Sequence, residues 1–472
     1  MLLVKKKYGV FEGFEGSANK CLPYDRVAFS ANGCTLVERA NHPVLVGVLE
    51  TTGTRYGFTK THNSIYLCRP LDEAYPPFYV GSKIVDRLRN KLISFSFEHW
   101  NDTLPRGIFL NLIGDCGIPE AEKKACLLKA SPYVWQKQLP EIIEPSWDRE
   151  KICEPTITID PVGCKDADDC ISFLENGLVI SIADVSAYVE VNPWMKYAEH
   201  IGTSLYENGS CVKPMFPAYL SEDKFSLVEN KDRLAYSLYI TFNKDGEVSH
   251  TWKETIVNVK SYNYENVYGC VHAAVLKEYV FCLSRILTDD SHKWIEILML
   301  YYNKKAAEKA VILRKQKGQN LERAKLFEPL SESYMYLSYE SAKYCLASDE
   351  CFHAQLGLEK YAHASSPIRR YVDIINQFSL KGKPFTYECI ERFNNIQRAS
   401  KTYERELIFL DLYYKQRLLD GIVLDEKHIF IPCLKKVIPY LNTCAPKTNV
   451  SIKYYTNPQS NKWKEKIIFQ VE

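Results

Sequence analysis

At Pro155 the chain changes its pattern, and the change limits what it can fold into. Up to about residue 148 it is a series of brief strand-type runs: YGVFEGF, RVAFS, PVLVGVLE, RYGFTK, SIYLC, KLISFSFEHW and GIFLNLIG. Turn clusters such as SANG and THNS and the prolines at 76–77, 105 and 119 separate them. Strands broken this often close into small barrels, and the spacing predicts two OB-like barrels in series, over 1–68 and 69–148. Beyond Pro155 the strands lengthen (TITID, LVISIADVSAYVEV, RLAYSLYITFN, GEVSHTWKETIVNV). After Tyr264 helical patterns take over, WIEILMLYYNKKAAEKAVIL and TYECIERFNNIQRASKTYERELIFLDLYYKQRL. These predict a large α+β domain over 149–420. The last strands, in IVLDEKHIFIPCL, NVSIKYY and WKEKIIFQV, predict an abbreviated β unit over 421–472. At 472 residues the chain is too long for one core, so a multidomain protein is expected.

The 16 cysteines include no CxxC pair and no fixed interval, which argues for reduced thiols over a disulfide framework or zinc ribbon. The start, MLLVKKKYGVFEG, lacks the apolar run of a signal peptide. No stretch approaches the roughly 18–20 apolar residues of a membrane span. A soluble intracellular protein, cytoplasmic or nuclear and without a membrane partner, is expected. Net charge is +2, but its distribution is uneven: residues 151–250 hold 8 Lys/Arg against 16 Asp/Glu, and residues 301–472 hold 28 against 19. An acidic centre beside a cationic approach surface fits that split, as does chance.

The acidic excess concentrates in ITIDPVGCKDADDCIS, residues 157–172, which places Asp160, Asp166, Asp168 and Asp169 within ten positions. Two unit charges ~4 Å apart repel by about 4 kcal/mol at an effective dielectric near 20. A divalent cation relieves that, and hard oxygen ligands suit Mg²⁺ or Mn²⁺. A solvated acidic turn is the ordinary alternative. A calcium loop is excluded, because Ile171 and Gly177 stand where it needs glycine and glutamate. In YAHASSPIRRYVD, residues 361–373, Ser366 reads as an N-cap and Pro367 as the first helical residue. Arg369 and Arg370 then fall in a first turn whose dipole disfavours cations, which makes sense around a bound phosphate. An Arg370–Asp373 pair on an exposed helix start is the plainer alternative. In RYGFTK, Tyr56 and Phe58 beside Arg55 and Lys60 could stack on bases or pack into their own barrel. The basic run at 304–325 is a candidate backbone contact for RNA, although most of its lysines read as a solvated helix surface.

Taken together, these blocks resemble the ribonuclease II (RNB) family of 3′→5′ exoribonucleases. TIDxxxxxDxDD followed by IADVSAYV is similar to its metal motif and next strand. GTSLYENGSCVKPMFPAYLSEDKFSL, WIEILMLYYN and HAQLGLEKYAHASSPIRRYVD resemble three further blocks, in the family's order, across about 220 residues. The resemblance implies two cold-shock domains, an RNB catalytic domain and a C-terminal S1 domain. It implies two Mg²⁺ ions (or Mn²⁺) held by Asp160, Asp166, Asp168 and Asp169, with Asp168 and Arg369 catalytic. By the same resemblance Tyr206 stacks on the last nucleotide of single-stranded RNA and Glu296 lies near its ribose; Arg370, Tyr56 and Phe58, read from their own sequence pattern, are further candidate RNA contacts. The product would be nucleoside 5′-monophosphates. Ile201 stands where the family has arginine, and Ile297 where it often has a second glutamate. The chain is also short between SRILTDD and SHKWIEILM, where the family inserts an aromatic clamp. A non-catalytic RNA-binding protein on the same scaffold, and an enzyme for short oligoribonucleotides, are the two other readings.

Overall fold

The computed structural model describes residues 5–7, 10–11, 20–30, 33–242, 248–330, 332–415, 417–440, 444–457 and 463–471. The expected strand at 8–14 lies outside these apart from Val10–Phe11. The chain forms two compact units, Met1–Tyr133 with Ala399–Glu472, and Val134–Arg398.

In the first unit, strands Leu45–Leu49, Ser64–Pro70, Phe78–Ser82, Arg106–Asp115 and Lys91–His99 close into a barrel in that order. Alternation along Phe78–Ser82 points Phe78 and Val80 inward, onto Tyr66, Ile93 and Phe95. The expected break at 68/69 falls inside the strand Ser64–Pro70 and is corrected: both sides of it belong to one barrel. Pro76–Pro77 separates two strands, as expected: Ser64–Pro70 and Phe78–Ser82. Closure comes from a short parallel pair, Tyr79 opposite Arg106 and Val80 opposite Gly107, for which the sequence carries no local signal. RYGFTK is not a strand: Phe58 makes an isolated bridge to Ser64, and Gly57 turns at φ +108°. Helix Pro119–Ala130 follows the barrel, and the C-terminal residues form an antiparallel five-stranded sheet.

The second unit holds a seven-stranded sheet in the order Glu150–Lys151, Val248–Val257, Arg233–Phe242, Gly177–Ala183, Asp169–Leu174, Thr156–Asp160, Lys260–Asn263. Gly177–Ala183 is buried along its whole length, so its apolar run does not alternate. Helices Ala273–Ser284 and Ser291–Ala306 cover the sheet through Leu276, Val280, Trp294 and Leu298. The boundaries of this unit differ from those expected at 148/149 and 420/421. Trp135 packs against Trp194, Tyr197 and Phe216 and donates to Met215 O at 2.9 Å, which fixes 134–148 to the large unit. At the other end, helix Ile390–Tyr414 runs past the division at 398/399; Tyr454 Oη donates to Leu412 O at 2.8 Å and fixes its last turns to the C-terminal sheet. Among the described residues no helix is long and apolar enough to cross a membrane.

Candidate active site

Asp160 ends one strand of an antiparallel pair and Asp169 begins the other, so the acidic loop is a hairpin connection with Thr156 opposite Ser172. Gly163 turns at φ +81°, and Cys164 N closes the turn on Pro161 O at 3.0 Å. The loop is pinned from outside. Ala167 N donates to Ser226 Oγ (3.0 Å), Leu227 N to Ala167 O (3.0 Å) and Ala183 N to Asp168 O (2.8 Å). Two other segments, at Ala183 and at Ser226–Leu227, thereby fix one loop.

The arginines do not open a helix as expected. Residues 366–370 form a turn in which Arg369 N and Arg370 N both point at Ser366 O (3.3 and 3.0 Å), and the helix begins at Tyr371. Long-range contacts override the local capping signal. Ile368 N donates to Asp168 Oδ1 at 2.9 Å, and Thr203 bridges Arg370, holding that residue extended. Ser204 N donates to Arg369 O (2.9 Å) and Tyr371 N to Gly202 O (3.0 Å). The GTS block and the arginine turn are therefore one ladder.

Asp168 is buried, with its second oxygen 3.4 Å from Arg369 Nε. Burial pushes its carboxyl well above the usual range, and the Arg369 charge opposes that. Burial likewise raises Asp160 and Asp169, helped by the Asp166 charge at the first and by the Asp160 charge at the second. Arg369 is half exposed; its Nη2 donates to Ser366 Oγ at 3.0 Å, leaving guanidinium donors toward solvent. Tyr206 Oη donates to Asp166, and burial first, then that bond, raises the phenol. Cys164 Sγ lies 3.6 Å from Asp160 and 3.8 Å from Asp166. Among the described residues no three carboxylate, thiol or imidazole groups converge as a ready ligand set. The donors nevertheless suit a hard dication: they are carboxylate oxygens, four negative charges with the Arg369 cation beside them.

The other expected residues lie less centrally. Arg370 is committed to Asp373, Nε and Nη2 donating at 3.0 and 2.7 Å, so the pair anticipated as the plainer alternative is formed. Glu296 is exposed and paired with Lys293 at 2.8 Å. Tyr56 and Phe58 are exposed in the first unit, Tyr56 with its ring 5.1 Å from Tyr79. The basic run at 304–325 is not one helix: Ser291–Ala306 ends within it, strand Ile312–Lys315 follows, and helix Leu321–Phe327 closes it.

Two sets of residues escaped the sequence reading. Tyr264 stacks on His292 with centroids 3.7 Å apart, and burial with the Asp169 and Asp160 charges pushes its phenol up to about 12, so it borders the aspartates. Behind the arginine turn, buried Asn303 accepts from Ala364 N (2.9 Å) and donates to Ser365 Oγ (3.0 Å). Asn376 donates to His363 O (2.9 Å), and Gln377 to Ala183 O (2.8 Å). Polar residues in apolar helix faces were the available signal.

The chain is similar to known proteins. Residues 149–317 and 282–383 match the model of the RNB domain, and 65–131 match the Dis3-like cold-shock domain 2. The chain belongs to the RNB family. It is 28% identical over 222 residues to the mouse (Mus musculus) exosome complex exonuclease RRP44, covering 42% of this chain and 22% of that protein. The chain spans between 22% and 49% of the length of the first three curated relatives it matches. In fold this RNB protein resembles Mycoplasma genitalium RNase R bound to ribose-methylated single-stranded RNA, with TM-score 0.67, 15% identity and coverage of 96% and 95% of the two chains. It also resembles yeast Ssd1, a pseudonuclease, with TM-score 0.62, 14% identity and coverage of 89% and 68%.

Proposed function

We propose that this RNB-family chain is a Mg²⁺-dependent 3′→5′ exoribonuclease that shortens single-stranded RNA to nucleoside 5′-monophosphates. The observation that carries the reading is the bond from Ile368 N to buried Asp168, which ties the loop of four aspartates to the arginine turn 200 residues later. Asp160, Asp166, Asp168 and Asp169 would hold the dication, with two ions to balance four charges and Mn²⁺ as a substitute. When bound, such an ion supplies Lewis-acid activation of water and charge neutralisation at the leaving oxygen. Arg369 offers its solvent-facing donors to the scissile phosphate. Tyr206 presents its ring to the terminal base, oriented by Asp166 through its hydroxyl. Contacts to the 2′-OH would select RNA. Tyr56 and Phe58 supply stacking surfaces for bases further along the strand.

The test is 5′-labelled single-stranded RNA incubated with Mg²⁺, with EDTA, and with Asp168→Asn. A ladder of shortened products with Mg²⁺ alone is expected; an intact substrate with wild-type protein in both Mg²⁺ and Mn²⁺ refutes the proposal. A second reading, RNA binding without turnover, draws on two observations: the likeness to a pseudonuclease and the absence of a converged ligand set among the described residues. Its signature is retained RNA affinity with no shortening.

A further inference from the structure

The first unit contains a cavity of about 700 Å³, within the size range of small-molecule sites. Its walls come from the barrel, the helix Pro119–Ala130, the last turns of Ile390–Tyr414 and the C-terminal sheet, all in one compact unit. Nothing in the proposed hydrolysis uses it.

Three properties define what it can hold. Phe409, Tyr413, Tyr414 and Trp463 give it aromatic walls. Its charge is cationic: among the described lining residues five lysines and arginines face three glutamates. Burial pushes Cys116 and Cys126 up to about 12, so both thiols are neutral near pH 7. Finally, two buried polar atoms on its lining lack partners. Glu406 Oε1 accepts from Lys129 Nζ, but Oε2 has no hydrogen-bond donor, and Tyr414 Oη has no partner either. An unsatisfied buried polar atom is destabilising, so a ligand that supplies the missing groups gains by it.

We propose that this cavity binds a nucleoside monophosphate group. Aromatic walls fit the planar base. The carboxylate Oε2 of Glu406 accepts from an exocyclic amino group, and Tyr414 Oη bonds a ring or sugar polar atom. The excess of two positive charges matches a phosphate monoester, which carries about −1.5 to −2 near pH 7. Lys466, whose ammonium lies 4.0 Å from the Trp463 ring centroid, stands at the aromatic wall as the cation for that phosphate. The group could arrive as a free mononucleotide or as the phosphorylated end of an RNA; the chemistry is the same.

The test is equilibrium dialysis of the whole chain in EDTA, in an Asp168→Asn background, so that it reports neither turnover nor metal-dependent product binding. Probes are radiolabelled AMP, inorganic phosphate, adenosine and a 5′-phosphorylated hexanucleotide. Saturable one-to-one binding of AMP, or of the hexanucleotide alone, supports the site and tells the two sources apart. Adenosine and phosphate should bind at least about tenfold more weakly than the best probe. Glu406→Gln, Lys466→Gln and Tyr414→Phe should each weaken binding by about three- to tenfold; Tyr414→Phe breaks no existing hydrogen bond and should fold normally. No saturable binding by a folded chain overturns the proposal, as does binding that survives all three substitutions. Because RNA shortening is assayed separately, its failure would leave this result standing.

Discussion

Asp184→Asn should unfold the large unit at markedly lower temperature, because it strands two buried cations. Asp184 is fully buried between Arg149 Nη1 at 2.7 Å and Lys381 Nζ at 2.5 Å, and Lys381 and Arg149 are themselves only 3% and 8% exposed. It also caps helix Val185–Val191, accepting from Ala187 N at 3.2 Å. Asparagine keeps the volume and the capping carbonyl but not the charge. Removing one partner of a buried ion pair costs about 3–5 kcal/mol. Glu254 stays 3.0 Å from Lys381, but at 39% exposure it offsets only part of the loss, so the lower end, ~3 kcal/mol, is expected. For a unit of this size that lowers Tm by roughly 6–12 °C in a calorimetric melt. The two cations hold the Asp184 carboxyl well below the usual range. Its stabilisation is therefore present above the unfolded value, near ~4, and lost as pH falls through the depressed folded value. Wild type and variant should converge in acid, and Lys381→Met added to Asp184→Asn should recover part of the loss. A deficit under about 1 kcal/mol at pH 7, or one that persists unchanged into strong acid, refutes the reasoning.

Other outcomes can be checked with less apparatus. Asp160 and Asp169 have raised folded values, so in EDTA their contribution is greatest below the unfolded value near ~4 and is lost as pH rises through the folded ones. Added Mg²⁺ should consequently raise Tm more at pH 8 than at pH 5 in thermal melts; equal shifts would count against a metal among these carboxylates. Gly202→Ala puts a Cβ 2.5 Å from Ile396 Cδ1 at φ +71°, and should cost about 1–3 kcal/mol and slow RNA shortening by disturbing the ladder to Arg369. Tyr56→Ala should lose about 1–3 kcal/mol of affinity for single-stranded RNA in fluorescence anisotropy while leaving cleavage of a dinucleotide unchanged.

What the sequence disclosed was what is local. Four acids in ten residues advertise themselves wherever the chain goes, and TITID is a strand in the structure as its alternation suggests. The arginine segment was visible as a site but misread as a helix start. Ser366 and Pro367 carry a capping signal that loses to a hydrogen bond from the far side of the fold. Barrel closure through Tyr79 and Arg106, and the buried amides of Asn303, Asn376 and Gln377, are settled between distant segments and leave little local trace. The nucleotide-sized cavity was invisible for the same reason, its walls running from Val48 to Lys466.

The acceptor on Asp168 is satisfied by a peptide group that is synthesised two hundred residues later. During translation, then, the acidic hairpin emerges first and stays incomplete until the turn ending at Arg370, and the helix Tyr371–Leu380 behind it, have left the ribosome. A chain cut before that turn has the charges but not the peptide group from which Asp168 accepts.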